Sequence, residues 1–177
     1  MIKIKERLFE PYISEHEILE RVASLARNIE NDYASKEPLF LAVLNGSFMF
    51  MADLTKAINM AVGISFIKIA SYQGLHSTGN VKEMIGITES VEGRDIIIVE
   101  DIVDSGKSMA YLLKMLQRLH PKSIEIASLL LKPTSLRENF HIKYLGFEIP
   151  DFFVVGYGLD FDGFGRNLNQ IYRILQK

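Results

Sequence analysis

One short stretch of the chain carries three carboxylates beside a loop suited to an anion. Residues 96–108 read IIIVEDIVDSGKS, so Glu100, Asp101 and Asp104 come just before a Ser-Gly-Lys-Ser sequence. Free backbone N–H groups at a helix start, with a glycine that allows close approach, bind phosphate-like anions. Carboxylates repel an anion, but they accept hydrogen bonds from hydroxyl groups and tolerate a nearby Mg²⁺. The combination favours a sugar phosphate, with ribose hydroxyls at Glu100 and Asp101 and with Asp104 near the reacting end.

The end of this stretch also resembles a P-loop, which binds nucleoside triphosphates. The P-loop pattern is G-x-x-x-x-G-K-[ST], and its last three positions are matched by Gly106, Lys107 and Ser108. Asp101, however, occupies the position of the first glycine, and the neighbouring carboxylates would repel a triphosphate. A P-loop kinase is therefore an alternative that the sequence opposes.

The framework that positions these residues follows from the hydrophobic pattern. Apolar runs typical of strands occur at 38–46, 63–71, 82–88, 95–101, 123–132 and 152–158. Helices are expected at 14–33, where Ser14 and Glu17 fit a capping box, and at 47–59 and 105–120. This order predicts an α/β fold with a mainly parallel sheet flanked by helices. Ligands of such sheets bind beyond the carboxyl ends of the strands, where the polar clusters of this chain fall.

Composition limits the class of protein. The chain has 177 residues, of which 48% are hydrophobic, as expected of one globular domain with a core. A net charge of −2 gives no basic field for nucleic acid or an anionic membrane, and no apolar run approaches the roughly 18 residues of a membrane span. The absence of cysteine excludes disulfides and thiolate nucleophiles, and the first residues lack a signal-peptide core. We expect a cytoplasmic protein that binds neither nucleic acid nor membrane.

Several motifs occur together in an order found in one family. The stretch 96–109, IIIVEDIVDSGKSM, resembles the phosphoribosyl pyrophosphate signature of type I phosphoribosyltransferases: four apolar residues, two acids, two apolar residues and D-[ST]-G-x-[ST]. The segments LNGSFMFMADL, SYQGLHSTG, ASLLLKPT, GFEIPDFFVVGYGLDF and FGRNLNQ are similar to those of hypoxanthine-guanine phosphoribosyltransferases. The resemblance covers about residues 39–174. It implies one domain over 1–177, with a type I phosphoribosyltransferase core and a small hood formed from the N-terminal and C-terminal segments.

The resemblance also implies an activity. A 6-oxopurine, hypoxanthine or guanine, would displace pyrophosphate from phosphoribosyl pyrophosphate with Mg²⁺ and give IMP or GMP in purine salvage. Transfer to xanthine or to another base is the nearest alternative. A regulatory RNA-binding homologue is a second alternative, which the net charge of −2 opposes because a basic face would be expected. Members of the family are usually homodimers or homotetramers.

The residues matched to phosphoribosyl pyrophosphate lie in three segments of the chain. They are Leu44, Asn45, Gly46, Glu100, Asp101, Ser105, Gly106, Lys107, Ser108 and Arg166. The match implies Mg²⁺-linked contacts for Glu100, Asp101 and Asp160. Asn45 departs from the family, which often has a lysine there, so a positive charge is absent from this loop. Family members often carry a non-proline cis peptide in the loop, and we expect one at Leu44–Asn45.

The residues matched to the base are Lys132, Phe153 and Val154. Lys132 would donate to the 6-oxo group and leave a 6-amino group unpaired, because an ammonium has donors only. Phe153 would stack on the ring and Val154 would give backbone contacts. From spacing alone Lys132 would be a solvated strand end, and the sequence does not decide which phenylalanine of FFVV faces a pocket.

Asp104 and the segment near residue 72 have two interpretations each. The family match gives Asp104 a catalytic role in proton transfer at the imidazole ring of the purine. As an alternative or additional role, Asp104 would cap the helix predicted at 105–120. SYQGLHSTG matches a mobile lid at about 71–82, with Ser71 and Tyr72 as the matched substrate contacts, and a plain surface loop is the alternative.

Overall fold

A mainly parallel sheet with helices on both faces forms the larger part of the fold. The computed structural model describes residues 1–71, 81–87 and 89–175. The elements in these ranges are β1 Ile2–Ile4, β2 Arg7–Ile13, α1 Glu15–Asp32, β3 Leu39–Leu44, α2 Phe48–Ala57, β4 Gly63–Ser71, β5 Val81–Ile85, β6 Asp95–Val103, α3 Lys107–Gln117, β7 Ser123–Leu131, β8 Tyr144–Glu148, β9 Val154–Val155 and β10 Ile171–Ile174.

The central sheet has the strand order β5-β4-β3-β6-β7-β8. The five strands from β4 to β8 in this order are parallel, and β5 pairs antiparallel with β4 at the edge. The predicted α/β class with a mainly parallel sheet is therefore confirmed. The carboxyl ends of β3, β6 and β7 lie side by side along one end of the sheet, here called its carboxyl edge, and ligands of such sheets bind beyond it.

Burial on both faces explains the continuous apolar sequence of the central strand. Along β6, Ile97 and Val99 pack in the layer that contains α1 and α2, whereas Ile96 and Ile98 pack in the layer that contains α3. Strands covered on both sides have no polar face, so they lack the alternating pattern of half-buried strands. This packing fixes β6 and hence the position of the acids at its carboxyl end.

The predicted capping box at the start of α1 is confirmed. The Ser14 hydroxyl accepts a hydrogen bond from the backbone N–H of Glu17 at 3.3 Å, and the Glu17 carboxylate accepts one from the backbone N–H of Ser14 at 2.8 Å. The two bonds satisfy groups that have no partner within the helix, so the start of α1 is fixed by its own sequence.

A second, smaller sheet combines strands from both ends of the chain. Its order is β1-β2-β10-β9, and its small apolar core contains Phe9, Val155 and Tyr172. This sheet corresponds to the hood that the family resemblance implies. Because β9 follows β8 directly along the chain, the hood is tied to the carboxyl edge of the central sheet.

Some predicted elements were wrong in place or extent. The run 152–158 was predicted to be a buried strand like those of the parallel sheet, but only Val154–Val155 is a strand, and it belongs to the hood. The fifth parallel strand is β8, which was not predicted, because its sequence YLGFE has no continuous apolar run. Its glycine lies against β7, where a Cβ on Gly146 would come 2.3 Å from the carbonyl oxygen of Leu129.

The boundaries around the carboxylate-rich stretch also differ from the prediction. β6 continues to Val103, two residues beyond the predicted end at 101, so Glu100 and Asp101 lie within the strand and not at its end. α3 begins at Lys107, two residues later than predicted, because Gly106 at its N-cap adopts a left-handed conformation with a φ of 82°. Most of the predicted lid at 71–82, with Tyr72, falls outside the described residues. Among the helices described, none has the length and apolar character to cross a membrane.

Candidate active site

A cavity of about 430 Å³ opens at the carboxyl edge of the central sheet. It brings together most of the residues that the sequence singled out: Leu44, Asn45, Gly46, Glu100, Asp101, Asp104, Ser105, Gly106, Ser108, Lys132, Phe153, Val154, Asp160 and Arg166. The Lys107 side chain is exposed and is not part of the lining. Tyr72 and the side chain of Ser71 fall outside the described part of the chain. The loops from three parallel strands and the hood thus meet at one site.

Two adjacent carboxylates of β6 form the floor of one end of the cavity. Asp101 is buried, and the backbone N–H of Ile102 donates to its Oδ1 at 3.0 Å. Burial raises the pKa of Asp101. Burial, followed by the neighbouring Asp101 carboxylate, raises the pKa of Glu100 well above its usual range. An acid pair of this kind favours a proton, a cation or donated hydroxyl groups nearby.

The loop after β3 packs directly against this acid pair. A Cβ on Gly46 would lie 1.5 Å from Asp101 Oδ2, so only glycine allows the loop to come this close. A Cβ on Gly158, whose φ is +99°, would lie 1.9 Å from the carbonyl oxygen of Gly46. The peptide bond Leu44–Asn45 is cis, as expected. Three segments distant in sequence therefore meet around the Asp101 carboxylate.

The start of α3 offers backbone donors at the next part of the cavity. Gly106 is its N-cap, and no side chain caps the helix there. The capping role considered for Asp104 is therefore wrong, because Asp104 lies two residues before the cap position. The backbone N–H of Arg137 donates to the carbonyl oxygen of Ser105 at 3.1 Å, which holds the loop in place. The free N–H groups of the first turn, with the hydroxyls of Ser105 and Ser108, are suited to an anion.

Lys132 lines the cavity beside Asp104 and is buried, with 7% of its surface exposed. The interpretation of this lysine as a solvated strand end is wrong. Its Nζ donates to Asp104 Oδ2 at 3.1 Å and to Asp151 Oδ1 at 3.3 Å. Its backbone N–H donates to the carbonyl oxygen of Val103 at 3.0 Å, which continues the pairing of β7 with β6. Sequence reasoning missed Asp151, since an acid after Pro150 in a loop carries no distinguishing pattern.

The two phenylalanines of the FFVV sequence have different environments. Phe152 packs edge-on against Tyr12, with ring centroids 4.9 Å apart, and lies outside the cavity. Phe153 lines the cavity and leaves 43% of its surface exposed. Its ring centroid is 5.7 Å from that of Phe161, in an edge-to-face arrangement. Phe153 is therefore the aromatic face available to a planar ligand.

Arg166 and Asp160 form an ion pair at the mouth of the cavity. The distance between Arg166 Nη2 and Asp160 Oδ1 is 2.6 Å, and Arg166 Nη1 donates to the carbonyl oxygen of Gly158 at 2.7 Å. Asp160 Oδ2 also accepts from the backbone N–H of Gly163 at 2.6 Å. Both charged groups are partly exposed, so each remains accessible to a bound anion or cation.

The described residues contain no cluster of three or more acidic, histidine or cysteine side chains arranged to hold a metal ion. Glu100 and Asp101 supply two carboxylates on one side of the cavity, and Asp160 supplies a third that is already paired. A hard divalent cation bound here would take its remaining oxygen ligands from water or from a bound phosphate.

Known proteins resemble this chain over nearly its full length. The family described as phosphoribosyl transferase domain matches residues 12–162. The hypoxanthine-guanine phosphoribosyltransferase of Bacillus subtilis (strain 168) is 42% identical over 160 residues, which cover 90% of this chain and 89% of that protein. The protein of the same name from Dictyostelium discoideum is 42% identical over 157 residues, with 86% and 87% covered. A crystal structure of a hypoxanthine-guanine phosphoribosyltransferase from Bacillus anthracis is 37% identical, has a TM-score of 0.89, and covers 96% of this chain and 99% of that one.

Proposed function

This chain belongs to the phosphoribosyltransferase family, and we propose that it serves purine salvage by transferring the 5-phosphoribosyl group of phosphoribosyl pyrophosphate to hypoxanthine or guanine. The products are IMP or GMP and pyrophosphate. The observation that carries this proposal is the meeting of the acid pair, the uncapped start of α3 and the buried Lys132 around one cavity. These groups suit ribose hydroxyls, a phosphate and an oxo group respectively.

The sugar phosphate takes the part of the cavity between β6 and α3. The backbone N–H groups at the start of α3, with Ser105 and Ser108, bind the 5′-phosphate. The Glu100 and Asp101 carboxylates accept hydrogen bonds from the two ribose hydroxyls. These contacts hold the anomeric carbon in place while its bond to the pyrophosphate oxygen breaks and a bond to a ring nitrogen of the purine forms.

The purine takes the part of the cavity between Lys132 and Phe153. The Lys132 ammonium donates to the 6-oxo group, Phe153 stacks on the ring, and the backbone of Val154 contacts its edge. The amino group of adenine would face the ammonium instead, and because both groups donate, no hydrogen bond forms between them. This disfavours adenine. Asp104 assists proton transfer at the imidazole ring of the purine. Its Oδ2 is 3.1 Å from Lys132 Nζ, so both groups can reach the same base.

The pyrophosphate takes the mouth of the cavity, near Arg166 and the Leu44–Gly46 loop. A planar guanidinium with several donors suits a phosphate oxyanion. Binding there exchanges the 2.6 Å contact of Arg166 with Asp160 for contacts with pyrophosphate. The loop contributes backbone N–H groups and no charged side chain, because residue 45 is asparagine.

The acidic residues at the cavity fit Mg²⁺ that arrives with the substrate. Mg²⁺ keeps several waters and is commonly held by one or two carboxylates together with substrate phosphates. Glu100 and Asp101 would contact it on the ribose side and Asp160 on the pyrophosphate side. When bound, the ion neutralises charge that develops on the leaving pyrophosphate.

Four further proposals concern the domain organisation, the location, a lid and the assembly of the protein. We propose one domain over residues 1–177 in the cytoplasm, with a lid at about 71–82 that keeps water from a ribosyl cation-like transition state. We also propose a homodimer or homotetramer. Support for an oligomer comes from three exposed apolar side chains, since Phe48, Ile64 and Phe66 leave 41–46% of their surfaces exposed. Ile64 and Phe66 lie on the sheet face that α1 and α2 cover, because their partners in β3 pack in that layer.

The purified protein should be incubated with phosphoribosyl pyrophosphate, Mg²⁺ and one of a panel of bases, and the products identified by mass. We expect IMP from hypoxanthine and GMP from guanine, little AMP from adenine, and no product when the metal is chelated. Efficient AMP formation, or no nucleotide from either 6-oxopurine, would contradict the proposal. Faster conversion of xanthine would indicate the alternative base specificity, and RNA retardation in a gel would indicate the regulatory one.

A further inference from the structure

Asp151 lies beside the cavity but is not part of its lining, and neither its sequence context nor the family match gives it a role. Its carboxylate is 3.3 Å from the Lys132 ammonium, on which Asp104 converges at 3.1 Å. We propose that Asp151 is a positioning residue for base recognition: it holds the Lys132 ammonium in place while Asp104 turns to the purine. This inference rests on the proposed function.

The number of donors on Lys132 supports this division of labour. An ammonium group has three N–H donors. In the structure, two of them point to Asp104 and Asp151, which leaves the third for the 6-oxo group of a base. When Asp104 contacts the purine, its carboxylate is shared between the base and Lys132. Asp151 then supplies the remaining negative charge for the ammonium.

The burial of the three groups explains why this counter-charge matters. The Lys132 side chain is 9% exposed, whereas those of Asp104 and Asp151 are 53% and 64% exposed. A buried charge without a partner is costly, while a carboxylate at the rim keeps much of its hydration. Of the three groups, Lys132 therefore depends most on the contact, and Asp151 can provide it at little cost.

The backbone around Asp151 is held against the end of β7, so its position is set by the sheet. β8 pairs with β7 up to the pair Leu131 and Glu148, and the Ile149 N–H donates to the carbonyl oxygen of Leu131 at 2.8 Å. Pro150 then fixes its own φ, and the N–H of Phe152 donates to the carbonyl oxygen of Pro150 at 2.9 Å. This turn presents Asp151 to the residue that follows β7, which is Lys132.

The inference predicts a specific kinetic change for Asp151→Asn, a variant of nearly equal size that keeps an acceptor oxygen but loses the charge. The apparent KM for hypoxanthine should rise roughly threefold to tenfold, the range expected for a weakened charge-assisted hydrogen bond. The KM for phosphoribosyl pyrophosphate should stay within about twofold of the parent, because Asp151 lies away from the sugar phosphate. Asp151→Glu should restore part of the affinity for hypoxanthine.

A double-mutant cycle with Lys132→Ala distinguishes action through the lysine from a general structural effect. If Asp151 acts through Lys132, Asp151→Asn should change kcat/KM for hypoxanthine little further in the Lys132→Ala background. The matched control is Glu148→Gln, which removes an exposed acid three residues earlier in the same connection and should match the parent. The melting temperature of each variant should be measured alongside.

Three outcomes would overturn the role of Asp151. They are unchanged hypoxanthine kinetics in Asp151→Asn, an equal loss of affinity for both substrates, and an undiminished effect in the Lys132→Ala background. A parent protein that makes no nucleotide from hypoxanthine or guanine would overturn the proposed function as well. An active parent with an unaffected Asp151→Asn variant overturns only the role of Asp151.

Discussion

The two ends of β6 carry acidic residues in opposite environments. At the amino end, Asp95 accepts from the Ser123 hydroxyl at 2.6 Å and pairs with Lys122 at 3.2 Å. The Ser123 hydrogen bond, followed by Lys122, lowers the pKa of Asp95. At the carboxyl end, burial raises the pKa of both Glu100 and Asp101, and neither has an ion pair in the described part of the chain.

This difference separates acids that stabilise the fold from acids that are held for a ligand. The partners of Asp95 come from the fold itself, so its charge is compensated as soon as β6 and β7 pair. Glu100 and Asp101 are brought together by the same strand but receive no comparable partners. They disfavour the ligand-free protein when ionised, and hydroxyl groups or a cation from a substrate would relieve that cost. Changes at the carboxyl edge should therefore affect catalysis, and changes at the amino edge should affect stability.

The largest effect is expected for Asp104→Asn, at the carboxyl edge. Asparagine can still accept a hydrogen bond from Lys132 but cannot take a proton, so turnover should fall at least about tenfold, within or below the usual 10²–10⁴-fold range of general acid–base catalysis. The melting temperature should stay near that of the parent, because Gly106 and not Asp104 forms the N-cap of α3. Steady-state kinetics and thermal unfolding measure the two effects.

The matched control is Asp95→Asn, which also removes a lysine-paired carboxylate but at the amino end of β6, whereas Asp104 directly follows its carboxyl end. Its turnover should equal that of the parent. Full turnover in Asp104→Asn would remove this residue from the chemistry, and a much lower melting temperature would make it structural. Either result would break the proposed contrast between the two edges.

Arg166→Gln should have the next largest effect. The variant loses the guanidinium that the proposed function assigns to pyrophosphate, and hydrogen bonds between charged groups contribute about 1.5–3 kcal/mol. The KM for phosphoribosyl pyrophosphate should therefore rise about tenfold to a hundredfold, with little change in the KM for the base. Equal losses for both substrates would instead indicate that the pair with Asp160 mainly holds the mouth of the cavity together.

The sequence predicted the parallel sheet and the acid-rich part of the cavity because the necessary signals there are local. Lys132, Phe153, Asp160 and Arg166 were assigned only through the family resemblance. The run of isoleucines before Glu100 marks a strand buried on both faces, and the glycine and serines after Asp104 mark an anion site. What the sequence could not supply depends on partners distant along the chain. Asp151 acquires its contact only because β8 pairs with β7, and β8 itself lacks an apolar run. The burial of Lys132 likewise follows from the packing of several loops and not from its neighbours in sequence.

Glu100→Gln should stabilise the ligand-free protein while weakening its function. The raised pKa of Glu100 means that its ionised form is disfavoured in the folded state, so a neutral amide of similar size removes that cost. A gain of about 1 kcal/mol in the free energy of unfolding would raise the melting temperature by about 2–4 °C. The affinity for phosphoribosyl pyrophosphate with Mg²⁺ should fall, because an amide is a weaker acceptor and carries no charge. A variant less stable than the parent would contradict this account of the acid pair.

The smallest effect, and the sharpest test of the contrast, is the pH dependence of stability at the two ends of β6. Asp95 has a lowered pKa in the folded protein, so its contribution is present above its unfolded pKa and is lost as the pH falls through the folded value. Glu100 has a raised pKa, so its unfavourable contribution grows as the pH rises above its unfolded value. Asp95→Asn should therefore cost about 1 kcal/mol or less near neutrality, since Lys122 is largely exposed, and this cost should shrink on acidification. The gain from Glu100→Gln should shrink over the same acidification, because the parent carboxyl becomes protonated.

Chemical unfolding of the parent, Asp95→Asn and Glu100→Gln over a series of pH values tests this prediction. The free energies of unfolding of the two variants should approach that of the parent on acidification, Asp95→Asn from below and Glu100→Gln from above. Two differences of the same sign near neutrality would show that the acids at both ends of β6 serve the fold alike.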